Sequence, residues 1–183
     1  YFPELVEVLQ KELPERVVID GEIIIAGANG LEFDSLQLRL HPAASRVKKL
    51  SLEIPTKFVA FDLLALGDDD LREKPFSERR SKLEGIIAGS PSLFTTPRTR
   101  DPVEAGEWFT RFEGAGLDGV IAKRDEIPYQ HGERAMVKIK HGRTADCVVG
   151  GYREGKDGTG IGSLLLGLYD DSQVLHHVGH TSS

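Results

Sequence analysis

The chain reads as an α+β protein: a mixed domain over residues 1–141, then the opening strands of a small antiparallel barrel over 142–183. Three observations predict this. Up to His141, short apolar runs of strand character alternate with stretches whose apolar residues recur at helical spacing. After Gly142 the helical spacing stops, and three strand-like segments follow, joined by glycine-rich or Asp-Asp turns. The change of texture falls at His141-Gly142-Arg143-Thr144.

Pro3 to Leu13 places Leu5, Val8, Leu9 and Leu13 on one stripe and predicts a helix. Arg16 to Ile25 is a strand with Asp20-Gly21-Glu22 set into its apolar run, and Ala28-Asn29-Gly30 is a turn. Phe33 to Leu40 is helical and stops near Pro42. Lys57 to Leu66 is nearly all apolar, the pattern of a strand buried on both faces, and Asp68-Asp69-Asp70 after it is a surface loop. Ser77 caps a helix running to Ile87. Leu93 to Pro97 is a short strand, and Pro102 to Gly114 a helix with proline near its start. Asp118 to Arg124 and Met136 to His141 are strands; beyond the boundary, so are Asp146 to Arg153, Ser163 to Tyr169 and Gln173 to Val178.

At 183 residues, 39% hydrophobic and 28% charged, the composition is that of a globular protein. The single cysteine excludes an internal disulfide framework and suits a reducing cytoplasm. No apolar run approaches the roughly 20 residues a membrane helix needs. The chain opens at Tyr1 without a signal-peptide pattern and reads as a piece of something longer. Its net charge of −6 argues against a nucleic-acid partner, but the charge is uneven. Residues 123–156 carry eight Lys/Arg against five Asp/Glu, and a locally basic face can still dock phosphates.

Residues 117–140 hold the most chemistry. Leu117-Asp118-Gly119-Val120-Ile121-Ala122-Lys123 is an apolar run led by a carboxylate and closed by a lysine. Met136-Val137-Lys138-Ile139-Lys140 alternates, so Lys138 and Lys140 share one strand face and Val137 and Ile139 the other. Two ammonium groups near a carboxylate suit a phosphate and its metal ion. Alone, each motif has an ordinary reading: paired strand lysines are usually solvated, and Asp62 in Phe61-Asp62-Leu63-Leu64 caps or hydrogen-bonds locally. Gly155-Lys156-Asp157-Gly158-Thr159-Gly160 lacks the spacing of a phosphate loop and reads as a hairpin turn. His176 and His180 would lie roughly 13 Å apart on a strand, too far to share one ion.

Val18-Ile19-Asp20-Gly21-Glu22-Ile23, Phe58-Val59-Ala60-Phe61-Asp62-Leu63-Leu64, the Asp118–Lys123 run and the Lys138–Lys140 pair, in that order, resemble the ATP-dependent DNA ligases of the covalent nucleotidyltransferase superfamily. Phe33-Asp34-Ser35-Leu36-Gln37 and Ser77-Glu78-Arg79-Arg80 extend the likeness, which is nearest to short bacterial repair ligases. The resemblance implies a partial nucleotidyltransferase (adenylation) domain at 1–141, of antiparallel sheets with flanking helices, and an incomplete OB-fold at 142–183. It implies nicked duplex DNA and ATP as partners, Mg2+ or Mn2+ as cofactor, and a monomer at work on the bacterial nucleoid. Lys138 and Lys140 match the family's lysines on the α-phosphate, and Asp118 its metal-recruiting acid, where most relatives carry Glu. Glu22 matches the acid on the ribose or a metal, Phe61 the aromatic that stacks on adenine, and Lys123 the lysine closing the acidic segment. The family's Lys-x-Asp-Gly nucleophile motif does not occur here, nor does its C-terminal Arg-rich segment. The chain by itself is therefore expected to be inactive. An RNA ligase or capping-type enzyme, or a noncatalytic nucleic-acid-binding module, are the alternatives.

Overall fold

The computed structural model describes residues 1–142 and 144–181. Arg143, counted in the basic stretch and placed at the domain boundary, lies outside the described residues, as do Ser182 and Ser183. The chain divides into two compact units, Tyr1–His141 and Gly142–Ser183.

The first unit opens with helix α1 (Pro3–Glu12), whose Leu5 is buried while Val8 and Leu9 pack beside it. Strand β1 (Val17–Ile24) follows, then a tight hairpin of β2 (Ala26–Gly27) and β3 (Gly30–Leu31) around the Ala28-Asn29 turn. Helix α2 (Phe33–Arg39) leads to a second helix that sequence reasoning missed, α3 (Ala44–Glu53). Two features hid it. Ala43 caps it without a side-chain hydrogen bond, and a buried serine, Ser51, stands beside Leu50 on its inner side.

Strand β4 (Lys57–Leu66) is the axis of the unit. It pairs antiparallel with β1, and β6 (Leu93–Thr95) pairs parallel with its other edge, so this sheet is mixed rather than antiparallel throughout. The expected loop at Asp68–Asp70 is instead the return of a hairpin: Gly67 turns with φ +62°, and β5 (Asp69–Asp70) pairs with Ala65 and Leu66. Only Ala60, Asp62 and Leu63 of β4 are fully buried, so the strand is less enclosed than its composition predicts.

Helix α4 (Phe76–Ile87) covers this sheet, and Leu83 and Ile87 join Ala60, Leu63, Leu71 and Leu93 in the core. Its N-terminus corrects the expected Ser77 cap. Pro75 precedes the helix, and the free N–H groups of Phe76 and Ser77 donate to the carbonyls of Ile127 and Asp125. Helix α5 (Pro102–Arg111) is capped by Asp101, which accepts from the Val103 N–H at 2.8 Å. A 3₁₀ turn (Glu113–Ala115) leads into a two-stranded ribbon of β7 (Gly119–Ala122) and β8 (Val137–Lys140).

The second unit is an antiparallel meander of β9 (Val148–Glu154), β10 (Ile161–Tyr169) and β11 (Leu175–His180), with β10 central. The Gly155–Gly160 stretch is the turn between β9 and β10: the Gly155 N–H donates to the Gly160 carbonyl at 3.2 Å, and Asp157 accepts from Thr159. No group of His, Cys, Asp and Glu that could hold a metal is present among the described residues; His176 pairs with Asp170 at 2.8 Å. No described helix is long and apolar enough to cross a membrane.

Candidate active site

The β7–β8 ribbon brings three of the expected residues to one place. Its register sets Gly119 opposite Lys140 and Ile121 opposite Lys138. Strict alternation would turn the Asp118 side chain to the face opposite the two lysines. Gly119 stands between them with φ +152°, outside the range L-residues accept, and the Asp118 carboxylate lies 3.6 Å from the Lys138 ammonium. A Cβ at Gly119 would come within 2.0 Å of the Ile139 carbonyl oxygen, so only glycine lets the strands approach here. The Asp118 and Lys138 side chains are 71% and 54% exposed. In water such a pair adds little to stability; it is an open pair of one carboxylate and one ammonium group, with Lys140 on the same strand face as Lys138. The apolar face of β8 is not a core: Val137 and Ile139 are 62% and 46% exposed.

Glu22 and Phe61 sit on the larger sheet. Glu22 is opposite Val59 and exposed. The β1–β4 ladder slips between Asp20, paired with Asp62, and Gly21, paired with Ala60, which leaves Phe61 as the extra residue of a bulge. Gly21 is required there, since a Cβ would meet Phe58 at 2.4 Å and the Val59 carbonyl at 2.6 Å. Phe61 is half-buried, and its carbonyl accepts from Arg80 at 3.5 Å. No hydrogen bond or ion pair among the described residues joins Glu22 to Asp118.

Lys123 follows directly after β7, at the start of the segment that leads toward α4. Its ammonium is over the Phe76 ring, 4.8 Å from the centroid. Burial pushes its pKa down, and the neighbouring carboxylates of Asp62 and Asp20 recover only part of that shift.

Beneath Phe61 is a polar hub that sequence reasoning missed. Asp62 makes the expected local hydrogen bond, accepting from the Leu63 N–H, and it also accepts two hydrogen bonds from Arg79, both at 2.8 Å, with both side chains almost fully buried. Arg79 also donates to the Lys74 and Ile127 carbonyls, and Arg80 to the Thr96 hydroxyl and carbonyl. The Tyr129 hydroxyl donates to Asp20 at 3.4 Å, and burial raises its pKa, with Asp20 adding to the effect. One signal could have exposed the hub. Arg79 and Arg80 share the inward stripe of α4 with Leu83 and Ile87, and charge on such a stripe demands buried partners.

The donor set fits a hard divalent cation of the magnesium type. Such ions take one or two carboxylates and complete their shell with water and substrate phosphate oxygens. Asp118 is an exposed oxygen donor beside the Lys138 ammonium.

Residues 1–140 match the sequence profile of the ATP dependent DNA ligase domain. Over 98% of its length the chain is 59% identical to DNA ligase C2 of Mycolicibacterium smegmatis and 58% identical to DNA ligase C of Mycobacterium tuberculosis. It covers 51% and 52% of those proteins, about half their length. Among solved structures, a mycobacterial DNA ligase D complexed with ATP and MES superposes with a TM-score of 0.60 at 30% identity, over 99% of this chain and 56% of that one. The Asp118-Gly119 step, the paired lysines and the bulged aromatic strand thus stand within a matched domain, and the chain belongs to the ATP-dependent DNA ligase domain family.

Proposed function

We propose that this chain is the central part of an ATP-dependent DNA ligase that seals nicks in duplex DNA. The observation that carries the reading is the β7–β8 ribbon, which sets Asp118 beside Lys138 and puts Lys140 on the same strand face as Lys138, within a domain matched over residues 1–140. Residues 1–141 are read as part of the adenylation domain and 142–183 as the start of an OB-fold, supported by the helix-free meander of the second unit.

In this reading a lysine amine outside the chain attacks the α-phosphate of ATP. The P–N bond forms as the bond to pyrophosphate breaks, and pyrophosphate leaves with the displaced oxygen. Lys138 and Lys140 face the anionic transition state, where fixed cations contribute most. The same cations favour the neutral form of the attacking amine. Phe61 offers a flat apolar face to adenine, and Glu22 an acceptor to the ribose hydroxyls or to a metal. Lys123 supports the nucleotide site from the Phe76 side. Asp118 would hold Mg2+ or Mn2+, which supplies charge neutralisation at the phosphates when bound. AMP then passes to a DNA 5′-phosphate, and attack by the 3′-hydroxyl closes the nick and releases AMP. The protein would act as a monomer in the bacterial cytoplasm, on the nucleoid.

The test uses the full-length protein. Single-turnover formation of the enzyme–AMP bond should slow by roughly 10²–10³ in Lys138→Ala or Lys140→Ala, the scale of one lost preorganised partner. Arginine should restore only part of it, because a planar fork does not replace a compact charge. Parental rates in both alanine variants would remove the ribbon from the site, and sealing of nicked RNA in preference to nicked DNA would reassign the substrate.

A further inference from the structure

His141 follows Lys140 directly and has no part in the roles above. Its imidazole stacks on Phe109, with 3.7 Å between ring centroids and 19° between planes. Nε2 lies 2.8 Å from the Phe109 carbonyl oxygen. A carbonyl only accepts, so Nε2 is the protonated nitrogen and donates. Phe109 is in the last turn of α5, where a helix leaves its carbonyls without internal partners. Nδ1 faces the Glu113 carboxylate at 3.6 Å, and the side chain is only 18% exposed. The main-chain N–H of His141 donates to the Asp118 carbonyl at 3.1 Å, one rung beyond the Gly119–Lys140 pair.

We propose that His141 is a positioning residue that holds Asp118 in register with Lys138 and Lys140. A two-stranded ribbon is marginal by itself, and all four residues of β8 are exposed. The ribbon therefore needs a hold from outside to keep a carboxylate and two lysines at fixed separations. His141 provides one: its ring is fastened to the end of α5 by a stack and a hydrogen bond, and its main chain is fastened to Asp118. Gly119, the most permissive backbone in the ribbon, lies between that fastening and the strand. Rotation at Gly119 would carry Asp118 away from Lys138 unless residue 141 stays in place. This inference rests on the reading that Asp118 and the two lysines form the adenylation site.

The experiment compares His141→Ala, His141→Gln and Phe109→Leu in the full-length protein. Binding of Mn2+ is measured by electron paramagnetic resonance with a non-cleavable α,β-methylene ATP analogue present, beside the single-turnover rate of enzyme–AMP formation and the melting temperature. His141→Ala should weaken Mn2+ binding and slow adenylation by roughly 10- to 100-fold, the usual effect of losing a group that orients a ligand. His141→Gln, which keeps a donor for the Phe109 carbonyl, should recover part of both. Phe109→Leu, which keeps the carbonyl and loses the stack, should fall between. A folded His141→Ala with parental Mn2+ affinity and rate would overturn the proposal. If that variant does not fold, parental values in both His141→Gln and Phe109→Leu would do the same. A parent protein that forms no enzyme–AMP bond would sink the ligase reading itself, whereas a parent that adenylates as fast as its folded His141→Ala variant sinks only the positioning role.

Discussion

Lys123 is a half-buried cation whose burial costs the fold more than its neighbouring carboxylates return. Its ammonium lies over Phe76 within reach of Asp62 and Asp20, yet burial outweighs these partners and its pKa is lowered. The folded state therefore binds this proton less tightly than the unfolded chain does. Below the folded pKa the cost is present in full. Between that value and the ordinary lysine value near ~10.4 the unfolded chain holds more protons, so stability rises with pH. Lys123→Met should then keep or increase stability at neutral pH, and should lose the alkaline rise. Urea unfolding at pH 7 and pH 10 checks this. A loss above about 1 kcal/mol at pH 7, the centre of the range for ordinary substitutions, would mean that the ammonium stabilises the fold. In the full-length protein, weaker ATP binding without lost stability would mark Lys123 as part of the nucleotide site.

At the scale of elements, the contact between β4 and α4 is built on charge as well as on Leu63 and Leu83. Asp62 and Arg79 meet through two hydrogen bonds in an almost dry setting, and Arg79 spends its remaining donors on the Lys74 and Ile127 carbonyls. One side chain thus ties the sheet, the start of α4 and the segment after β7. Removing one partner strands the other, so Arg79→Met should cost about 3–5 kcal/mol. Asp62→Leu combined with Arg79→Met should cost less than Arg79→Met alone, because no buried charge is left unpaired. Equilibrium denaturation of the three proteins decides it; a double variant less stable than Arg79→Met would show that the pair contributes through packing. The same elements determine how Phe61 is presented, since the bulge that displaces it lies beside Asp62 and its carbonyl is held by Arg80.

For the whole molecule, the expectation concerns the chain in isolation. The 183 residues contain no Lys-x-Asp-Gly motif. Incubated with α-labelled ATP and magnesium, the chain alone should carry no label through a denaturing gel. A stable labelled band would mean that one of its own lysines is the nucleophile.

Most strands and most helices were legible because their apolar periodicity is local: α1, β1, β4 and α5 follow from residues that point the same way whatever packs on them. That Asp118 would come near Lys138 was legible for a related reason, since a carboxylate before a strand and alternating lysines on its partner carry their chemistry in their identities. What the tertiary structure decided was everything that depends on distant partners. It added to Asp62's local hydrogen bond a buried pairing with Arg79, seventeen positions away. It set Lys123 near Asp62 and Asp20, formed α3 with a buried serine on its inner side, and set β6 parallel to β4. It also made His141, an unremarked residue after a strand, the link between α5 and Asp118. The physical reason is common to all of these. A local pattern states which face of an element is apolar, while the partner of a buried polar group is settled only when separate segments close over it and exclude water.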